Sequence, residues 1–274
     1  VCVSNMLTSL LALDLGVPLA YPCPHEASSD GARTGRRQSI SMAIPDNDIP
    51  RAPRPVNPLP WSVVLLFLAI AAVEIVLSLG ARGIIGGPGS VGWRLEAIRS
   101  YGFVSAVLHW MMEQGVWPLE QVMRFVTYPF VHGAFTSAAF ACVMLLALGK
   151  WVGEVAGAWS VLITFFLSSV LGALVYGLVT NDAYPLIGAF PGIYGLIGVF
   201  TWLLWVRLKA SGDNEFRAFT LIGVLMGIQL VFGLLFGAAN TWVADITGAV
   251  AGFLAAPLLV PGGWSAFLRR MRRD

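Results

Sequence analysis

The chain has 274 residues, of which 57% are hydrophobic and 12% are charged, and its formal net charge is +2. This composition excludes an ordinary water-soluble domain, in which about a quarter of the residues are charged. Nothing in it indicates nucleic-acid binding. The three cysteines have neither a metal-ligand spacing nor an even number that could form a closed set of disulfides. We therefore expect the lipid bilayer as the main partner, with no metal and no cofactor.

The first 58 residues are predicted to form a disordered cytoplasmic segment, because residues 44–60 are rich in Pro, Asp, Asn and Arg. The short apolar run Met6–Leu19 does not resemble a signal peptide, since Asp14 interrupts it and no basic region precedes it. Ser41-Met42-Ala43 resembles a natural start. If the natural protein starts there, residues 1–41 are a leader foreign to it; the alternative is that they belong to the natural protein.

Six long apolar runs follow, each close to the roughly 20 residues that a helix needs to cross a bilayer. They are residues 59–81, 126–149, 155–179, 186–206, 218–238 and 242–260. Continuous apolar runs of this length predict helices, because a helix satisfies its own backbone polar groups in lipid. The predicted fold class is an all-α polytopic membrane protein, with a six-helix bundle in residues 59–260.

Basic residues lie at both ends of the chain and in alternate connections, which predicts that both termini are cytoplasmic. Arg82, Arg94, Arg99 and Arg124, in the 82–125 connection, run against this pattern. The supporting positions are Arg33, Arg36, Arg37, Arg51, Arg54, Lys150, Arg207, Lys209, Arg217, Arg269, Arg270, Arg272 and Arg273. Residues 261–274 form a basic cytoplasmic tail in this interpretation. The predicted location is the plasma (inner) membrane of a bacterium.

The connection of residues 82–125 is too long to be a bare turn. Residues 93–112 mix apolar and charged side chains in a pattern compatible with one helix, and Trp93, Trp110 and Trp117 suit the lipid–water boundary. This segment is interpreted as an interfacial loop that lies on the extracytoplasmic surface. A loop that merely faces the membrane is the alternative.

Three dispersed motifs occur in a suggestive order. Residues 124–133 read RFVTYPFVHG, residues 188–195 read GAFPGIYG, and residues 244–252 read ADITGAVAG. Over residues 59–260 the chain resembles the rhomboid family of intramembrane serine proteases, and these stretches are similar to its Trp-Arg-x-x-Thr…His, Gly-x-Ser-Gly…Tyr-Gly and Ala-His-x-x-Gly-x-x-x-Gly motifs. The resemblance implies a six-helix membrane bundle with a serine and a histidine inside it.

The reacting residues of that family are replaced here. The resemblance assigns Phe190 to the nucleophile position and Asp245 to the base position, and it assigns the two oxyanion positions to Ser137 and Ala141. A phenyl ring has no nucleophilic atom, and the family mechanism needs a hydroxyl beside its base. No catalytic residue is therefore predicted to be intact.

Three residues that support the site in the family are retained, namely His132, Tyr194 and Gly188. Four more glycines recur at spacings that allow close helix packing, and these are Gly192, Gly195, Gly248 and Gly252. Ser168 and Ser169 in the third run are expected to form hydrogen bonds between helices.

Asp245 needs a separate explanation, because a carboxylate inside the membrane costs about 3 kcal/mol on insertion scales. One hypothesis is a hydrogen bond to Tyr194. Another is that Asp245 receives a polar group of a bound client helix. The third is a protonated, buried residue with a structural role close to the water boundary.

The sequence supports two main hypotheses for function. The first is a non-catalytic rhomboid-like membrane protein that binds or escorts transmembrane client proteins. The alternative is an active rhomboid-type endopeptidase that uses an unrecognised nucleophile. A small transporter or channel is disfavoured, because four of the six runs contain ionisable residues only near their ends. The sequence specifies no oligomeric state.

Overall fold

The computed structural model describes residues 58–182, 184–220, 222–225, 227 and 240–260. The unit that starts at Leu59 is helical throughout this part of the chain, apart from short turns and one isolated bridge. Five of its helices are long and apolar enough to cross a membrane. They are α1 (Trp61–Ala81), α5 (Phe135–Ala156), α6 (Ala158–Val179), α7 (Phe190–Ser211) and α8 (Trp242–Leu259).

These helices confirm the prediction of an all-α polytopic membrane protein. The first and last helices begin and end within two residues of the predicted runs 59–81 and 242–260. The predicted run 218–238 falls mostly outside the described residues, which show helical backbone at residues 222–225. Residues 1–57 and 261–274 also lie outside the described part of the chain.

The predicted run 126–149 is wrong at both ends, because its helix is Phe135–Ala156. A 3-10 turn at Tyr128–Phe130 precedes it, and Val131 and Ala134 have extended backbone. Pro129 has no N–H to donate and so favours this break. The apolar run continues across the break, and hydropathy alone therefore placed the helix too early.

The runs 155–179 and 186–206 also start too early. Gly157, with φ of +93°, separates α5 from α6, which begins at Ala158. Residues 186–189 are not helical. They lead into α7, which begins at Phe190 and ends at Ser211.

The connection of residues 82–125 contains three short helices rather than one: α2 (Trp93–Tyr101), α3 (Ser105–Gln114) and α4 (Leu119–Thr127). The expected single helix over residues 93–112 is broken at residues 102–104, where Phe103 leaves the helical path to pair with Leu186. Leu108 and Met111 of α3 are buried, whereas Trp110 and Trp117 are exposed. This division gives the segment one face toward the bundle and one face away from it.

Four helix ends meet on one side of the bundle, which we call the site face. It is the side at which α1 ends and α5, α7 and α8 begin. Helices α1 and α5 are antiparallel, because Gly149 lies against Val63 and Gly153 against Pro60. Helices α7 and α8 run parallel, because Gly248 lies against Pro191 four residues before Gly252 lies against Gly195. The candidate site is at this face.

Glycines bring the backbones of α7 and α8 into direct contact. A Cβ added to Gly252 would overlap the carbonyl oxygen of Gly195, and one added to Gly248 would overlap that of Pro191. Helix α7 is also the most buried of the five, because 67% of its most apolar stretch lies inside the bundle. It is therefore the central helix, and α8 is fixed against it without intervening side chains.

Ser168 and Ser169 do not form the hydrogen bonds that were expected between helices. Both are fully buried, and neither side-chain oxygen has a hydrogen-bond partner in the described part of the chain. Their hydroxyls instead occupy the space left by glycines, since a Cβ on Gly192 would lie 2.8 Å from the Ser169 Oγ. The small size of these serines therefore lets α6 pack closely against α7.

Replacing Gly252 by alanine should destabilise the bundle by about 1–3 kcal/mol, because the new methyl group forces α8 away from α7. A thermal melt of the purified protein in detergent measures the effect. Gly92→Ala is the matched control, since a Cβ at Gly92 meets no atom within 4 Å. Equal melting temperatures for the two variants would contradict the close contact.

Candidate functional site

The segment before α7 is held by backbone hydrogen bonds at the site face. Leu186 exchanges two of them with Phe103, at N–O distances of 2.7 and 3.0 Å. The N–H of Gly188 donates to the carbonyl of Tyr128 at 3.1 Å. Gly188 has φ of +94°, a conformation that suits glycine and disfavours other residues. These contacts set the path of the chain into Phe190.

His132 connects this segment to the start of α5. It is 1% exposed, and its Nε2 accepts the N–H of Ala189 at 3.4 Å. Accepting at Nε2 requires the neutral ring with its proton on Nδ1. Burial lowers the pKa of His132 below its ordinary value of 6.5, which favours the same neutral form. His132 thus acts as a hydrogen-bond support for the residue next to Phe190.

An ion pair also contacts His132, at its backbone carbonyl. The guanidinium of Arg94, on α2, binds the carboxylate of Glu74, on α1, at 2.6 and 3.1 Å. The same guanidinium donates to the backbone carbonyl of His132 at 2.8 Å, and Ser78 donates to Glu74 at 2.7 Å. Arg94 therefore links α1, α2 and the segment before α5 at one point.

Phe190 is the first residue of α7 and is half-buried. Its ring lies beside that of Phe140 on α5, with centroids 6.2 Å apart. Ser137 is half-buried on the same helix, and Ala141 is fully buried. The positions that the family resemblance assigned to the nucleophile and its oxyanion partners thus occupy the first two turns of α5 and the first turn of α7.

Asp245 lies in the first turn of α8 and is 3% exposed. It lines the same cavity as Tyr194 and Phe190. The structure therefore brings together the two positions to which the family resemblance assigned the nucleophile and the base.

The shared cavity is partly open and has a volume of about 430 Å³. Its wall is largely apolar and includes Phe140, Met144, Ile197 and Phe190. Thr241, Tyr194 and Asp245 supply polar groups. An apolar pocket with a few polar groups is the usual form of a binding site.

The described histidines are His109 and His132, and no hydroxyl or thiol of a described residue hydrogen-bonds to either ring. A hydroxyl beside an imidazole is the arrangement that a serine–histidine mechanism needs. Across the same part of the chain, no three His, Cys, Asp or Glu side chains are grouped as metal ligands.

Sequence reasoning missed Arg94 as a site-supporting residue. Glu74 carried a usable signal, because an acidic residue within an apolar run is expected to find a partner. The partner is 20 residues away on α2, and no periodicity identifies it.

Removing Arg94 should cost up to about 3 kcal/mol, because the buried Glu74 loses its partner, and removing Glu74 should cost less, because Arg94 is partly exposed. Glu74→Leu and Arg94→Met should each lower the melting temperature. The double variant should lose clearly less in melting temperature than the two single losses added together. Lys209→Met is the control, since it removes a half-exposed ion pair with Glu215 and should have little effect. Simple additivity of the two buried substitutions would contradict the pairing.

Comparison with known protein families places this arrangement in context. The model of the rhomboid domain matches residues 119–262, which is just over half of the chain and extends from α4 through α8. No curated protein matches the chain. The matched region contains Phe190, Asp245, His132 and the glycine contacts between α7 and α8. The chain therefore belongs to the rhomboid family.

Proposed function

We propose that this chain is a catalytically inactive member of the rhomboid family that binds or escorts transmembrane client proteins. The observation that carries the proposal is the position of Phe190. Its ring is part of the wall of the cavity that Asp245 also lines, at the point where the family places its serine.

The chemistry of the replaced residues supports inactivity. Family proteolysis needs a hydroxyl that attacks a carbonyl while a neighbouring base takes its proton. Phe190 supplies only hydrocarbon, so the carboxylate of Asp245 has no hydroxyl at that position to activate. Ala141 cannot donate a hydrogen bond to an oxyanion, and losing one such donor typically costs about 10²–10³ in rate. The missing hydroxyl and the missing oxyanion donor would both lower the rate of the same cleavage reaction.

Client binding uses different features of the molecule, which are retained. The cavity is largely apolar, so it suits side chains of another helix within the membrane. Glycine contacts hold α7 and α8 in place beside it, and the His132 and Arg94 bonds hold the segment that leads into Phe190. None of these features depends on a serine or a histidine that reacts.

The proposal includes the full topology and the location. We place six membrane-spanning helices in residues 59–260, with both termini in the cytoplasm and the 82–125 loop on the opposite surface, in the inner membrane of a bacterium. The antiparallel directions of α1 and α5 support this arrangement, and so do the parallel directions of α7 and α8, which require one more span between them. The distribution of arginine supports it as well.

One reconstituted sample can test binding and cleavage together. A photo-reactive p-benzoylphenylalanine replaces Met144, which lines the cavity, or Leu254, which is 67% exposed on α8 and serves as the matched control. A labelled single-span peptide of defined sequence is added to the proteoliposomes and the sample is illuminated. The Met144 variant should capture intact peptide several-fold more than the Leu254 variant.

Two outcomes would contradict the proposal. Equal capture at both positions would show that the cavity does not select a client helix. Labelled peptide fragments that form with time would instead support the alternative, an active rhomboid-type endopeptidase with an unrecognised nucleophile.

A further inference from the structure

The cavity wall contains one acidic side chain. Twelve residues of the described chain line the cavity, and among them Asp245 is the one with a carboxyl group. No Lys, Arg or His belongs to this set. Thr241 and Tyr194 add hydroxyl groups, and most other lining residues, such as Met144 and Ile197, are apolar. The wall is therefore complementary to an apolar occupant that carries one cation.

The depth of Asp245 restricts where that cation would lie. Asp245 is the fourth residue of α8, and it is therefore within one turn of the helix end at the site face. A Lys or Arg near the end of a client helix can extend its long side chain along the membrane while its apolar stem stays in contact with hydrocarbon. Such a side chain could reach this level from a neighbouring helix without placing its charge at the centre of the bilayer.

Pairing a carboxylate with a cation lowers the free-energy cost of holding either group within the membrane. Carboxylate and ammonium groups are each expensive within a membrane, and they usually face a cavity or pair with one another. A client cation beside Asp245 would share its desolvation cost with the carboxylate, whereas an acidic client residue at the same level would be repelled.

We infer that the cavity selects transmembrane segments that carry a Lys or Arg within about one turn of the end lying at the site face. This inference rests on the proposed client binding and adds a charge preference to it. Asp245 is the residue that determines the specificity, and the apolar wall receives the rest of the client helix.

Three synthetic single-span peptides provide the test. They are identical except for Lys, Leu or Glu at one position, four residues from the end that lies at the site face. Their dissociation constants are measured by fluorescence in lipid nanodiscs that contain the full chain. The wild type should bind the Lys peptide about tenfold more tightly than the Leu peptide, and the Glu peptide most weakly.

Two variants separate a local effect from the general surface charge. Asp245→Asn keeps the shape of the side chain and should reduce the Lys-to-Leu preference to about twofold or less. Glu113→Gln removes an exposed carboxylate from α3 and should leave the preference unchanged.

The outcomes distinguish this inference from the proposed function. Equal affinity of the wild type for the Lys and Leu peptides would overturn the charge preference while leaving client binding intact. A failure of all three peptides to bind would overturn client binding itself. Because the first comparison uses the wild-type protein alone, the test does not depend on the folding of any variant.

Discussion

The direct contact between the backbones of α7 and α8 is the constraint on which the rest of the site depends. Gly195 and Gly252 allow an approach that any side chain would prevent, and this approach places the first turns of both helices side by side. Phe190 and Asp245 lie in those turns, so they share one cavity as a consequence of the glycines. The shape of this cavity is thus maintained by glycines, which have no reactive groups of their own.

The polar contacts around the site belong to the framework in the same way. Arg94 pairs with Glu74 and donates to the His132 carbonyl, while the His132 ring accepts the Ala189 N–H. Each of these groups is buried or partly buried, and leaving one unpaired would be costly whether or not the protein cleaves peptides. Folding stability alone is therefore sufficient to retain them. Retention of these contacts is therefore not by itself a sign of proteolytic activity.

Parts of this structure follow from local sequence patterns and parts do not. The apolar runs of α1 and α8 end where their helices end, so hydropathy located both within two residues. It failed for α5, because the apolar run continues through the turn at Pro129. Motif glycines lie where α7 and α8 are in backbone contact, and such contact needs small residues in sequence. The pairing of Arg94 with Glu74 could not be predicted in this way, because it depends on how a long loop returns to α1.

The proposal of an inactive rhomboid-family protein requires that no reactive serine lies near Phe190 and Asp245. Labelling of the purified protein with a serine-directed fluorophosphonate probe in lipid, beside an active rhomboid protease as the positive control, tests this claim most directly. The account predicts no labelling of this chain under conditions that label the active protease. Stoichiometric labelling of any serine near Phe190 and Asp245 would contradict it.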